Sequence, residues 1–277
     1  MDKEYLAYKF EDSPEFINTF DELPLWSAPF GLMLLDNIEL KPNLTVLDIG
    51  SGAGFPLLEL AQRLGPTSTC YGLDPWTNAN NRVREKIKNY GLKNVNVIDG
   101  NSGQIPLEDA FIDLIVSNLG INNFEQPWLV IKECHRVLKP GGKLALTTNL
   151  NGHWKEFYKV FEEILREAGH TDLINKLKMH QEHRGSIQSV SELFSNNGFH
   201  PARTYEDHFT MKFLNGTAFL NHHFIKLGWL ISWKELIPEN LQLFVFSRLE
   251  ENLNALSAEQ GLLNFTVPMA FIEGKKL

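Results

Sequence analysis

The chain has 277 residues, of which 43% are hydrophobic, and a formal net charge of −8 from 26 Lys and Arg against 34 Asp and Glu. That length holds one large domain, or a domain with a cap, around a sizeable core. The acidic balance argues against a nucleic-acid partner, because a phosphate backbone is met by clustered Lys and Arg, and here the basic residues are scattered.

Residues 1–40 form a helical preface. Ser13-Pro14 caps and starts a helix, Leu23-Pro24 and the residues up to Phe30 break it, and helical periodicity resumes from Gly31 to Ile38. From Leu44 to Asn149 strands alternate with helices. The first strand ends at Ile49; a helix over 54–64 follows, then strand Thr69–Leu73, helix 77–90 closed by Gly91, and strand Asn94–Asp99. Strand Phe111–Val116, helix 126–138, a Lys139-Pro140-Gly141-Gly142 turn and strand 143–149 complete the segment. Such alternation specifies a parallel sheet with helices on both faces, with ligands at the strand C-terminal ends near the topological switch. Gly50, Asp74, Asn101 and Asn118 gather there. The basic spot Arg82 to Lys88 includes Glu85 and reads as a solvated helix face.

The run Val46-Leu47-Asp48-Ile49-Gly50-Ser51-Gly52-Ala53-Gly54-Phe55 describes a buried strand turning tightly into a helix under a ligand. A dinucleotide fingerprint requires a third glycine where Phe55 stands, and no Gly-Lys-Ser/Thr follows to make a P-loop. A nucleoside carrying a sulfonium and an ammonium, with no phosphate, fits this elbow. Twenty-six residues after Asp48 the second strand ends in Asp74, placed to accept both ribose hydroxyls of an adenosine; the plainer alternative is an acidic cap for the helix beginning at Thr77. Pro75-Trp76 can lie against the adenine face.

On these residues the chain resembles the class I S-adenosylmethionine-dependent methyltransferases, of the group that includes the ubiquinone and menaquinone (type 11) enzymes. VLDIGSGAGF, YGLDPW, IDGNSGQIP, DLIVSNLGINNF and ECHRVLKPGGKLALTTN stand in family order across roughly residues 25–150. The resemblance implies a Rossmann-like, doubly wound α/β sheet of seven strands, the last antiparallel, with S-adenosylmethionine as donor and S-adenosylhomocysteine as product. Implied cofactor contacts are Asp48, Gly50, Ser51, Gly52, Gly54, Asp74, Pro75, Trp76, Asn101, Ser102, Asn118 through its backbone carbonyl, and Leu119. Two positions depart from the family. Asn101 replaces an aspartate that accepts from the adenine amine, which removes a charge-assisted bond. Asn122-Asn123-Phe124 replaces His-His-Phe, which puts a histidine base at that spot in doubt.

Beyond residues 41–150, the expected cofactor-binding core, residues 151–277 complete the sheet. Trp154 to Ala168 reads as a helix, a polar region follows, and Val190 to Phe199 is a helix stopped by Gly198. Strands are expected near 202–213 and 264–273. Between them runs a long helical pattern with Phe219, Phe224, Trp229, Trp233, Phe244 and Phe246, too long and apolar for a bare loop. Residues 151–186 and 214–262 are expected to form a helical lid. Phe213 to Trp233, interrupted by Asn215, His222, His223 and Lys226, reads as a cap helix rather than a membrane-surface segment.

Methyl transfer is an in-line displacement from an already activated donor, so alignment and water exclusion do most of the work and a general base is optional. The candidate bases are His153, just past the fifth strand, and His208 on the sixth, followed by His222 and His223; His135 is structural. Trp26, Phe30, Asn122 and Trp154 are candidate substrate contacts, with Trp26 and Phe30 equally able to seal the sheet. No His, Cys or Asp cluster has metal spacing, and no G-x-S-x-G elbow marks a hydrolase. The Asn-Pro-Pro-Tyr that relatives use to methylate nucleobase or glutamine amines is absent at Ser117–Gly120. The substrate is therefore expected to be a small apolar or aromatic metabolite. A noncatalytic S-adenosylmethionine- or S-adenosylhomocysteine-binding protein is the alternative, and an aminopropyltransferase lacks its paired acids after the fourth strand. Cys70 and Cys134 read as buried small hydrophobes, the N-terminus carries no secretory leader, and no run approaches the ~20 apolar residues that span a bilayer. A cytoplasmic protein without integral membrane association is expected.

Overall fold

The computed structural model describes residues 3–21, 25–182 and 184–277, so the Leu23-Pro24 break lies outside the described residues. The chain forms two compact units. The first to be described, the sheet unit, comprises Asp12–Asn149, Gly185–Asp207 and Met269–Leu277; the helical unit comprises Met1–Glu11, Leu150–Arg184 and His208–Pro268.

The strands are β1 (Thr45–Ile49), β2 (Thr69–Asp74), β3 (Val95–Asp99), β4 (Ile112–Asn118), β5 (Leu138–Asn149), β6 (Phe199–Phe213) and β7 (Leu263–Lys276). They form one seven-stranded sheet in the order β3-β2-β1-β4-β5-β7-β6. Pairing is parallel from β3 through β5, and β7 runs antiparallel to β5, with Lys143 opposite Lys275 and Asn149 opposite Met269. Val46, Leu47 and Ile49 on β1 and Leu114, Ile115 and Val116 on β4 are all buried, the continuous apolar run of a parallel strand covered on both faces. The order reverses between β1 and β4. Both strands end there, at Ile49 and Asn118, and that crevice is where an open α/β sheet takes its ligand.

The helices of the sheet unit are α1 (Pro14–Asp21), α2 (Ser27–Asn37), α3 (Leu57–Leu64), α4 (Thr77–Tyr90) and α5 (Pro127–Val137), with α8 (Ile187–Asn196) later in the chain. Ser13 caps α1 by accepting from the Phe16 N–H at 3.1 Å. Helix α2 begins at Ser27, earlier than the expected Gly31, because Pro29 falls in the first turn, where the missing N–H is not needed. Helix α4 has the expected ends, with Gly91 at its C-cap in the left-handed region (φ 67°). Strand β5 starts before the expected residue 143: Leu138 already pairs with Ile112, and the Pro140-Gly141-Gly142 segment is a register shift within the ladder rather than a turn ahead of it. Phe55, in the place of a dinucleotide glycine, presses its ring on α2; a Cβ on Gly31 would lie 2.2 Å from it.

In the helical unit α6 (Lys155–Glu167) and α7 (Thr171–Glu182) precede α9 (Gly216–Asn221), α10 (His223–Ile225), a π-helical turn over Lys226–Leu230, α11 (Ile231–Leu236) and the long α12 (Glu239–Gln260). Helix α7 occupies what reads in sequence as a polar region. Only Leu173, Ile174 and Leu177 are buried along it, a stripe too narrow to give a clear period. The core is aromatic. Phe157 lies 4.4 Å from Trp233 and 5.2 Å from Phe219, and Phe219 packs edge-on to Phe265 at 4.7 Å. Full burial of each such ring is worth about 1.5–3 kcal/mol. Glu250 on α12 accepts from Lys3 Nζ and from Thr217 Oγ1, both at 2.6 Å, and so ties Lys3 to α9 and α12. Among the described residues no helix is long and apolar enough to cross a membrane.

Candidate functional site

The elbow after β1 is fixed onto β2: the Gly50 N–H donates to the Leu73 carbonyl at 2.9 Å. Gly50 has φ 72°, and a Cβ there would come within 3.3 Å of the Gly120 Cα. Gly52 has φ 48°, and nothing lies within 4 Å of where its Cβ would stand. A side chain at Gly52 would be strained by the backbone conformation, while the space above it is open to a ligand.

Asp74 ends β2 beside this elbow. Its Oδ2 accepts from the Gly52 N–H at 2.8 Å and its Oδ1 from the Trp76 N–H at 2.9 Å, with 8% of the residue exposed. The Trp76 contact closes a turn two residues on, ahead of the first helical residue Thr77, and is not the helix cap that the sequence offered as the plainer alternative. The Gly52 contact is what joins the acid to the elbow. A carboxylate has about four acceptor positions, so two amides leave room for two hydroxyl donors. Burial raises the Asp74 pKa, and the two amides oppose that rise. Asp48 is fully buried one strand away. Burial first, then the charge of Asp74, push its pKa well above the usual value, with the Leu57 amide pulling the other way. Asp48 therefore holds its proton more tightly than Asp74, and the pair favours a single negative charge.

Asn80 holds the ends of β2 and β3 together, a role that sequence reasoning missed. Fully buried, it donates through Nδ2 to the Asp74 carbonyl at 2.8 Å and to Asp99 Oδ1 at 2.9 Å. An asparagine in the first turn of a helix carries no signal by itself of a bond to another strand. Asp12 was also missed: its Oδ1 accepts from Trp76 Nε1 at 2.8 Å and from Asn78 Nδ2 at 3.0 Å, which holds the Trp76 ring, and Phe16 packs 6.2 Å from it. Pro75 is exposed. Asn101 is exposed too, and its Oδ1 accepts from the Gly103 N–H at 2.7 Å, closing the turn that buries Ser102.

At the end of β4, Asn118 is held at both ends of its amide. Thr147 Oγ1 donates to its Oδ1 at 2.7 Å and its Nδ2 donates to the Ser27 carbonyl at 3.2 Å. Leu119 follows in the left-handed region (φ 68°), its N–H on the Thr147 carbonyl at 2.9 Å. Asn122 donates to Asn149 Oδ1 and accepts from Thr148 Oγ1, each at 2.8 Å, so its amide is oriented by the end of β5. Phe30 is fully buried, with the half-buried Trp26 ring 5.4 Å away.

Asp48, Gly50, Ser51, Gly52, Gly54, Asp74, Trp76, Asn118 and Leu119 thus stand at or just beyond the C-terminal ends of β1, β2 and β4 in the sheet unit, whereas His153, Trp154 and His208 fall in the helical unit. His153 is 5% exposed, its ring 4.3 Å from that of Trp154 and 5.8 Å from that of Trp229. Burial, then the charges of Arg184 and His180, hold its pKa well below the ordinary histidine value. His208 is exposed on β6. Burial also lowers the pKa values of His222 and His223. His135 packs edge-on against Phe199 at 5.3 Å, the structural part expected of it.

Residues 47–146 match the protein family described as a methyltransferase domain. This segment of the chain carries a methyltransferase domain. The domain contains the elbow, Asp74, Asn101 and Asn118, and it ends before the helical unit's Leu150–Arg184 segment begins. Among similar curated proteins, an arsenite methyltransferase of Halobacterium salinarum is 33% identical over 108 residues, covering 39% of this chain and 28% of that protein. A demethylmenaquinone methyltransferase of Listeria welshimeri is 32% identical over 128 residues, covering 45% of this chain and 54% of that one. The chain therefore spans about half or less of the curated relatives it matches. A solved structure, a putative methyltransferase from Bacillus halodurans, shares the fold with a TM-score of 0.57 at 17% identity, covering 89% of this chain and 98% of that one.

Proposed function

We propose that the protein is an S-adenosylmethionine-dependent methyltransferase that moves a methyl group to a small apolar or aromatic metabolite by in-line displacement. The observation that carries this reading is the Asp74 carboxylate on the Gly52 amide at 2.8 Å, which joins a ribose-accepting acid to an open glycine elbow in a methyltransferase domain. The donor, when bound, supplies a methyl carbon already activated by a positive sulfonium. The chain's own residues then have three tasks. Asp74 accepts the two ribose hydroxyls with the lone pairs its amide partners leave. Its negative charge favours a cationic nucleoside over a phosphate-bearing one; the elbow's own residues Gly50 to Gly54 include no basic side chain, and the Lys86 ammonium that reaches it is bound to the Ala53 carbonyl at 2.8 Å. Leu119, held in the left-handed region, sets the direction of the Asn118 carbonyl toward an ammonium group.

The names of the relatives point to quinone-type and arsenite acceptors. Arsenic(III) is a soft centre captured by thiolates. Both cysteines of this chain are buried, and burial pushes the Cys70 thiol up to about 12 and Cys134 higher still. An aromatic, quinol-like acceptor is the better fit.

Thermal denaturation with S-adenosylhomocysteine and, separately, with NAD tests the cofactor: the first is expected to raise the melting temperature and the second to leave it unchanged. Transfer of radiolabelled methyl to a panel of quinols, phenols and amines tests the reaction. Stabilisation by NAD instead would overturn the reading.

A further inference from the structure

Trp76 stands at the N-cap of α4 and is gripped at both ends by carboxylates. Its backbone N–H donates to Asp74 Oδ1 at 2.9 Å, and its indole Nε1 donates to Asp12 Oδ1 at 2.8 Å. The first acceptor is the acid to which the ribose is assigned. The second lies 64 positions earlier, two residues ahead of α1. The same Asp12 oxygen accepts from Asn78 Nδ2 at 3.0 Å, so it spans Trp76 and the second residue of α4. Phe16, on α1, sets its ring at 38° to that of Trp76 with the centroids 6.2 Å apart. All of these residues belong to the sheet unit. The Asn78 bond, then the Trp76 bond, hold the Asp12 carboxyl below the ordinary aspartate range, so it is a charged acceptor at neutral pH.

These bonds do little to hold the fold together. Asp12 is exposed, and Trp76 and Asn78 are half-buried, so water can take over the two donors when the carboxylate is removed. What Asp12 does fix is the direction of the Trp76 ring. Tryptophan has only two side-chain torsions, and with the peptide N–H on Asp74 and the indole N–H on Asp12 both backbone and ring are set. A base can stack on a ring already held in place, whereas a ring that turns freely must first be immobilised by the ligand, which weakens binding.

We propose that Asp12 is a positioning residue for the donor nucleoside, which holds the Trp76 ring as the platform on which the adenine stacks. The proposal rests on the methyltransferase reading and adds to it a part played by residues outside the matched domain, since Asp12 and α1 precede residues 47–146. A nucleoside whose ribose is held by Asp74 brings its base to the residue two positions on. The third strand offers that base less than a carboxylate would: Asn101 is uncharged, and its Oδ1 already accepts from the Gly103 N–H at 2.7 Å. Recognition of the base therefore leans on the ring face, and the ring face depends on Asp12.

The test is calorimetric titration with S-adenosylhomocysteine of the parent, Asp12→Ala, Asp12→Asn, Trp76→Phe and the double variant, beside a melting curve of each free protein. Asp12→Ala should weaken binding by about three- to tenfold, with a melting temperature within about 3 °C of the parent. Asp12→Asn keeps an oxygen for the indole N–H and should recover most of that affinity. Trp76→Phe keeps a ring and removes the donor, so adding Asp12→Ala to it should change affinity by less than about twofold. Asp12→Ala binding as tightly as the parent, Asp12→Asn binding as weakly as Asp12→Ala, or a full-sized effect of Asp12→Ala in the Trp76→Phe background would overturn the proposal. So would a larger fall in the melting temperature of free Asp12→Ala, which would mark the aspartate as part of the fold. A parent protein that does not bind S-adenosylhomocysteine overturns the methyltransferase reading and this proposal with it, whereas a parent that binds beside indifferent variants overturns this proposal alone.

Discussion

Replacing Asp74 by alanine separates its structural bonds from its proposed grip on ribose. The carboxylate already accepts from the Gly52 and Trp76 amides at 2.8 and 2.9 Å, and two further acceptor positions are proposed to meet the 2′ and 3′ hydroxyls. A hydrogen bond to a charged group is worth about 1.5–3 kcal/mol, so losing two costs about 3–6 kcal/mol of binding, or roughly 10²–10⁴-fold in Kd. Folding stability changes by less, because two opposing effects meet. The orphaned amides cost about 1–3 kcal/mol each, while removing a carboxyl whose pKa is raised by burial returns part of that. Isothermal titration with S-adenosylhomocysteine, beside a circular dichroism melt of the free protein, measures both. A 2′,3′-dideoxy analogue completes a double-mutant cycle: it should bind weakly to the parent and no more weakly to Asp74→Ala. A folded Asp74→Ala protein that binds S-adenosylhomocysteine within threefold of the parent would refute the ribose assignment.

Thr147→Val strands the Asn118 side-chain oxygen it now satisfies at 2.7 Å, and should cost about 1–3 kcal/mol in a denaturant melt together with a measurable loss of nucleoside affinity. Gly52→Val forces a β-branched residue to φ 48° and fills the open space above the elbow; a stability loss of about 1–2 kcal/mol with abolished S-adenosylhomocysteine binding is expected in the same pair of assays. Asp48 has a folded-state pKa raised above its unfolded value, so between those two values the native protein holds more protons than the unfolded chain and stability falls as pH rises. Asp48→Asn should remove that decline, and parallel melting curves for parent and variant across pH would rule the assignment out. Trp233→Ala, at the centre of the helical unit's aromatic core, should cost about 3–5 kcal/mol by denaturant unfolding.

The sequence by itself determined the sheet and the placing of the elbow. Strand and helix alternate from Leu44 to Asn149 with periods set by local sterics, and a glycine at Gly52 and an acid at the end of β2 are requirements of backbone conformation and strand polarity that can be read without contacts. Element boundaries slipped where a second signal competed, as at Pro29 in α2 and at Pro140-Gly141-Gly142 in β5. Only the tertiary structure decided what side chains from distant segments do to one another. Asn80 on α4 bonds to the ends of both β2 and β3, Asp12 holds Trp76 across 64 positions, and Asn118 is clamped between Ser27 and Thr147. Charge divides in the same way. Arginines look alike along the chain: five meet a glutamate three or four positions away on their own helix, which a local pattern encodes, whereas Arg84 with Asp99 and Arg203 with Glu273 pair through three-dimensional proximity.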